Sequence, residues 1–195
     1  MNRLVKRGGR CVKKLMVFLC SVLAILFLNV ALQGTAEAAR VAVIPIDVDV
    51  KVERAGDFNS YYWDMLIDRF RYPDYELLDD DKVAAVVPET GLKTFDKAAL
   101  SAVAEKVSAE IVVAMRITDV QEIPKSFLRE PMVECIMSGE FASFNRLTGN
   151  YYYKKINYSK DIHEIWTVRN DWQQEVFADY LRRGINRTLE DKGKK

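Results

Sequence analysis

The stretch ALSAVAEKVSAEIVVAMRITDV, residues 99–120, narrows the possible folds more than any other. Leu100, Val103, Ala104 and Val107 recur at the i, i+3, i+4, i+7 spacing of a helix buried along one side, and Asp96 stands where an N-cap belongs. After a three-residue turn the pattern changes. Ile111 to Val113 is continuously apolar, as in a strand covered on both faces. Met115 and Ile117 then point inward while Arg116 and Thr118 point outward, so the strand gains a wet face. A helix that feeds such a strand belongs to a layered packing of helices on a sheet.

The same grammar recurs upstream. RVAVIPIDVDV is continuously apolar from Val41 to Ile44, after which Ile46, Val48 and Val50 alternate with Asp47 and Asp49. Pro45 lacks an N–H and predicts a bulge or an unpaired edge at that point. In FNSYYWDMLIDRF, Tyr62, Leu66 and Phe70 lie four apart with Trp63 and Ile67 beside them, a wide apolar helical stripe that Pro73 terminates. DYELLDDDKVAAVVPETGL reads as a strand over 75–78, then a short helix with the body KVAAVVP, closed by Pro88 and Gly91. One of Asp79, Asp80 and Asp81 caps that helix and the others favour the positive end of its dipole. A calcium loop spaces its oxygens at alternate positions with a distant glutamate. Three consecutive aspartates cannot converge on one ion in that way, so capping is the better reading.

Downstream, QEIPKSFLREP reads as a loop bracketed by Pro124 and Pro131. In MVECIMSGEF, Val133, Cys135, Met137 and Phe141 share one face and Glu134, Ser138 and Glu140 the other. RLTGNYYYKKINY places Thr148-Gly149-Asn150 at a hairpin turn, where glycine supplies a positive φ. The last element, NDWQQEVFADYLRRGINRTL, reads as a helix capped by Asn170, with Trp172, Val176, Tyr180, Ile185 and Leu189 tracing its apolar stripe. EDKGKK is expected to fray. The order β-α-β-α-α-β-β-β-α predicts an α+β fold, a mixed β-sheet with helices packed on it.

None of this concerns residues 1–38, which read as a signal peptide. Six basic residues between Arg3 and Lys14 precede LMVFLCSVLAILFLNVAL, and Ala36-Glu37-Ala38 offers small residues at both positions that a signal peptidase reads. An uncleaved anchor is the rival reading, since eighteen residues, broken only by Ser21 and Asn29, lie at the short end of what spans a bilayer. A lipid-modification signal wants a small residue before its cysteine, and Leu19 precedes Cys20. The exported form, residues 39–195, is expected to be a single α+β envelope domain with a C-terminal helix. The 29 basic and 28 acidic residues of the chain lose six and one to the segment, leaving 23 and 27, a net charge of −4. That balance gives no basic surface for nucleic acid. Of three cysteines only Cys135 remains; a single thiol makes no internal disulfide, and it reads as a small buried apolar side chain.

Four of these stretches together carry a resemblance: RVAVIPIDV, YELLDDDKVAAVVPETGL, ALSAVAEKVSAEIVVAMRITDV and FNRLTGNYYYKK. Over residues 40–158 the chain resembles the envelope fold shared by the curli secretion-channel family (CsgG) and the N-terminal domain of TolB. It is also similar to penicillin-binding-protein activator lipoproteins. The turn Ser108-Ala109-Glu110 stands where that pattern has a glycine, and the lipid-bearing cysteine is missing. Long membrane-inserting hairpins beyond the core strands, and a following propeller, are missing from the pattern too. The resemblance implies a periplasmic-type interaction module with a protein partner or self-assembly, in contact with membrane only through the segment 1–38 if that is kept.

The inventory of reactive groups is short. His163 is the single histidine and Thr167 stands where a zinc-protease helix has its second, so His163 reads as a surface residue. No G-x-S-x-G turn and no phosphate-cradling glycine loop occur in residues 39–195. No catalytic, cofactor-binding or metal-binding residues are assigned on this reading, and no cofactor is expected. Two features fit a partner surface. Phe127 and Leu128 form an apolar pair between prolines, and Tyr151, Tyr152 and Tyr153 run along a strand so that at least one ring faces away from the core. The opposing readings are that Phe127 plugs a sheet edge and that the tyrosines merely suit a strand. The leading expectation is therefore a secreted, non-enzymatic interaction or assembly module. The alternative is an envelope hydrolase of cell-wall glycan or peptide using paired carboxylates such as Asp47, Asp49, Glu134 or Glu140. A small-ligand carrier with a closed apolar pocket is a third possibility.

Overall fold

The computed structural model describes residues 37–49, 55–88, 91–127, 130–163 and 172–190. The segment read as a signal peptide, the proposed cap Asn170, the contact candidate Leu128 and the tail beyond Glu190 lie outside the described residues or nearly so, Glu37 and Ala38 alone of the segment being described. Ten elements follow in chain order: β1 (Ala39–Val43), β2 (Asp47–Val48), α1 (Ala55–Arg69), β3 (Tyr75–Leu77), α2 (Asp80–Ala84), α3 (Lys97–Val107), β4 (Ile111–Phe127), β5 (Glu130–Asn145), β6 (Asn150–His163) and α4 (Trp172–Leu189). β1 and β2 are one strand interrupted at Pro45, so the predicted order holds.

The strands make one mixed sheet in the order β3-β1-β4-β5-β6, with β2 beside β4. β1 runs parallel to both β3 and β4, and β4, β5 and β6 are antiparallel neighbours. Helices cover both faces, which explains why Val41–Ile44 and Ile111–Val113 are apolar without alternation. On one face, α1 and α4 pack Phe58, Tyr62, Leu66, Phe70, Phe177, Leu181 and Ile185 against Val41, Val43, Val113, Met115, Ile117 and Phe141. On the other, Val83 of α2 and Leu100, Val103 and Ala104 of α3 meet Ala42, Ile44, Val112, Ala114 and Phe144.

Local chemistry starts the helices where the sequence says. The Asp79 carboxylate accepts from the Asp81 amide at 3.0 Å and caps α2, and Asp96 accepts from Ala99 at 2.8 Å and caps α3. α2 is a single turn and a half; Val86 and Val87, read as helix body, lie in the turn beyond it. In α1 the buried line is Phe58-Tyr62-Leu66-Phe70, and Ile67 is 56% exposed, so the stripe is narrower than its sequence suggests. α4 is rotated relative to its expected stripe. Its buried line is Trp172, Phe177, Leu181, Gly184, Ile185 and Thr188, with Val176, Tyr180 and Leu189 at the margin. Gly184 sets that rotation: a Cβ there would fall inside the Phe141 ring, so the helix backbone rides directly on the sheet at this point.

The stretch 121–131 is a correction of the loop reading. Pro124 and Pro131 lie within β4 and β5, which pair as a continuous hairpin down to Phe127 opposite Glu130. β4 has a neighbour on its other side, β2, only as far as Ile117, so a proline beyond that point does not break a second ladder. A β-bulge lies between Ile117 and Asp119, opposite Gly139. It inserts one residue and reverses which side chains face α4. Ile117 and Val120, three apart, therefore pack in the same core.

Candidate functional site

β6 closes the sheet order, and among the described residues no strand lies beyond it. Its alternate side chains Tyr152, Lys154, Ile156 and Tyr158 face α4, because β6 pairs with β5 in a register that puts Ile156 opposite Gly139 and Tyr158 opposite Met137. Ile156 is fully buried, while the other three look outward past the helix. One flank of α4 presents Glu175, Val176, Asp179, Tyr180, Arg183, Asn186, Arg187 and Glu190, at the three- and four-residue intervals of one helical side. Between strand and helix lies an open groove of about 820 Å³.

The groove is rigidly walled. Tyr152 lies against Phe141 with ring centres 6.2 Å apart, and Tyr158 stacks on Trp172 at 5.8 Å and 14°. Trp172 in turn donates its indole N–H to Glu122 of β4 at 2.8 Å. At the other end, the Asn150 amide donates to the carbonyls of Thr188 and Glu190 at 3.3 and 2.7 Å, tying the last turn of α4 to the start of β6. Burial pushes the Tyr158 hydroxyl above its usual range, with the charges of Cys135 and Glu175 adding to it, so at neutral pH it is a protonated donor. Arg183 pairs with Asp179 at 2.8 Å and Arg187 with Glu190 at 3.2 Å. Lys154 and Glu175 have no ion-pair partner among the described residues.

The residues singled out from sequence separate in space. Tyr151 points to the α3 face, where its hydroxyl donates to the Phe95 carbonyl at 2.6 Å. Tyr152 lines the groove, and Tyr153 is exposed on the opposite face. Phe127 is the last residue of β4 at the hairpin tip, not in an open loop. His163 ends β6 and is exposed. Val176, Tyr180 and Glu175 were missed as site residues; the faint signal for them is that Val176 and Tyr180 lie one position off the line Phe177-Leu181.

Of the carboxylates in the hydrolase alternative, Glu134 stands apart from Asp47 and Glu140. Asp47 pairs with Arg116 at 2.6 Å, and the cross-strand register sets Asp47, Arg116, Glu140 and Lys155 in one row of alternating charge over four strands. Glu134 lies six residues along β5, about 20 Å away, and bonds Lys125 at 3.0 Å and the Ser159 hydroxyl at 2.9 Å. Lys125 also bonds Asp161 at 2.8 Å, and its hydrogen bonds to Asp161 and Glu134 raise its pKa while holding Glu134 below the usual carboxylate range. Asp47 and Glu134 are thus already paired with cations. A second open pocket of about 510 Å³, lined by Pro45, Ile46, Asp47, Ala84, Val87, Pro88 and Gly91, lies at the break between β1 and β2. Among the described residues, no three His, Cys, Asp or Glu side chains converge as metal ligands, and no helix is long and apolar enough to cross a membrane.

The fold defines an α+β domain with a mixed sheet between two helical layers. No protein-family model matches the chain, and no curated protein matches it in sequence. Solved structures similar to it include a neuraminyllactose-binding hemagglutinin homolog from Helicobacter pylori, at 15% identity and TM-score 0.47, covering 82% of this chain and 87% of that one. The lipoprotein GNA1162 from Neisseria meningitidis matches at 14% identity and TM-score 0.38, covering 76% and 98%. The LpoB C-terminal domain from Salmonella enterica matches at 12% identity and TM-score 0.35, covering 66% and 87%.

Proposed function

We propose that the chain is an exported, non-enzymatic module of a bacterial cell envelope that binds another protein, or another copy of itself, along an open sheet edge. The observation that carries this is β6. It is a fourteen-residue strand with no neighbour on its outer side among the described residues, running beside a groove walled by α4. Such an edge offers a row of unpaired backbone N–H and C=O groups, a template for a further strand. The kinship with CsgG, TolB N-terminal and activator-type envelope domains, and cleavage after Ala38, form part of the same reading.

Site-specific photocrosslinking in the producing cell tests it. A photoreactive residue is placed at the exposed positions Asn157 on β6, Ile123 on β4 and Ile67 on α1. The expected outcome is a discrete adduct of one mass from Asn157 in the exported fraction. No adduct from any of the three positions would count against a binding module.

A further inference from the structure

We infer that the groove between β6 and α4 takes an extended polypeptide segment as a seventh, antiparallel strand, and that it selects a basic residue followed four positions later by an acidic one. This deepens the module reading and rests on it. Four observations meet here. Among the described residues, β6 is an open edge over its whole length. The groove beside it is open to solvent and about 820 Å³, room for a row of side chains hanging from a strand laid along the edge. Its lining is balanced, with Lys154, Arg183 and Arg187 against Glu175, Asp179 and Glu190. A balanced lining does not favour a polyanion or a polycation, and it suits a segment carrying both signs. Four of those six charges already pair with each other along α4, which leaves Lys154 and Glu175 as the charges without an ion-pair partner among the described residues.

The spacing follows from strand geometry. Glu175 lies in the first turn of α4, three residues on from the Trp172 that stacks on Tyr158, so it lies at the Tyr158 end of the groove. Tyr158 and Lys154 are four residues apart on the same face of β6, about 14 Å. In a paired strand the residues opposite them point to the same face and are also four apart. The residue opposite Tyr158 meets the Glu175 carboxylate and the tyrosine face, both of which favour a cation. The residue opposite Lys154 meets its ammonium. Between them, the residue opposite the buried Ile156 abuts Val176 and suits an apolar side chain. An antiparallel strand continues the pairing of β4, β5 and β6, and it fixes the order as basic, apolar, acidic at alternate positions. A parallel strand would require the reverse order.

The test uses residues 39–195 of the chain, two nine-residue peptides with the cores Lys-Thr-Val-Thr-Glu and Glu-Thr-Val-Thr-Lys, calorimetric titration and amide hydrogen exchange. The first peptide is expected to bind about fivefold tighter than the second, the scale of two exposed ion pairs, and to slow exchange at alternate amides of β6. Combining Lys154→Glu with Glu175→Lys is expected to invert the preference. Glu175 also lies in the first turn of α4, so Lys154→Glu alone serves as a second variant. It is expected to favour Lys-Thr-Val-Thr-Lys over the original core by about twofold, the scale of one exposed ion pair. Equal affinity for the two orders, a preference unmoved by either variant, or protection on β4 instead of β6 would overturn the inference. Crosslinks at Asn157 in cells together with no order preference in titration remove this ligand and leave the binding module standing. Crosslinks at none of the three positions remove the module itself.

Discussion

Ser108 sits in the left-handed region, φ 55° and ψ 41°, at the C-cap of α3. It opens the turn Ser108-Ala109-Glu110, and the Ala109 amide closes the cap by donating to the Ala104 carbonyl at 2.8 Å. A β-carbon in that conformation costs about 1–2 kcal/mol, part of which glycine gives back through its freer unfolded chain. Ser108→Gly is therefore expected to stabilise the domain by about 0.5–1 kcal/mol. A urea midpoint that rises at unchanged slope checks it, and an unchanged or lower midpoint would contradict it. The caps Asp79 and Asp96 were legible because an N-cap is satisfied within three residues of itself. The three tyrosines were legible only as alternating. Which face meets Phe95, which meets the groove and which meets solvent depends on strands and helices far away in sequence.

The hairpin of β4 and β5 shows what element-level reading misses. Prolines at 124 and 131 marked a loop, and they instead lie in strands, with β4 single-sided where Pro124 falls. The bulge after Ile117 is equally invisible in a pattern of apolar spacing, because it changes the parity on which that pattern relies. Gly139 allows it. A Cβ at this position would collide with the Arg116 backbone carbonyl, which has no side-chain freedom with which to yield. Gly139→Ala is expected to destabilise the domain by about 1–3 kcal/mol. The change is measurable in urea melts, with slowed-exchange amides lost first around 116–120 and 137–141; a loss below about 0.5 kcal/mol would show that the ladder can shift at little cost. For α4 the periodicity announced a helix, and Gly184 against Phe141 decided which side of it was buried. The groove depends on that rotation, since it is what leaves Val176 and Tyr180 facing β6.

At the scale of the molecule, Glu110 gathers three separated segments. Its carboxylate accepts from the Arg40 amide at 2.7 Å and faces the guanidinium groups of Arg40 at 3.2 Å and Arg146 at 3.3 Å. Burial pushes this carboxyl up, but the hydrogen bonds and charge of Arg40, with the charge of Arg146, outweigh it and hold the pKa below the ordinary 4.5. A group depressed in the folded state contributes stability that is full above its unfolded pKa and is lost as pH falls through the folded value. Thermal midpoints are thus expected to drop below about pH 4.5 in the parent chain. In Glu110→Gln they are expected to be lower near neutrality and to fall less steeply in acid. Parallel slopes for the two proteins would refute the assignment.

What the sequence determined by itself was the order of elements, their caps and the layered α+β class, because each depends on chemistry within a turn of helix or a few residues of strand. Tertiary structure alone decided that β6 is the outer edge, that α4 turns its tyrosine flank toward it, and that Asp47 and Glu134 each end up paired with a distant cation. Those outcomes rest on contacts between residues 30 to 70 apart along the chain, the separations of Trp172 from Glu122 and of Arg40 from Glu110 among them. Apolar spacing records that a side chain is buried, and carries no mark of which distant neighbour buries it.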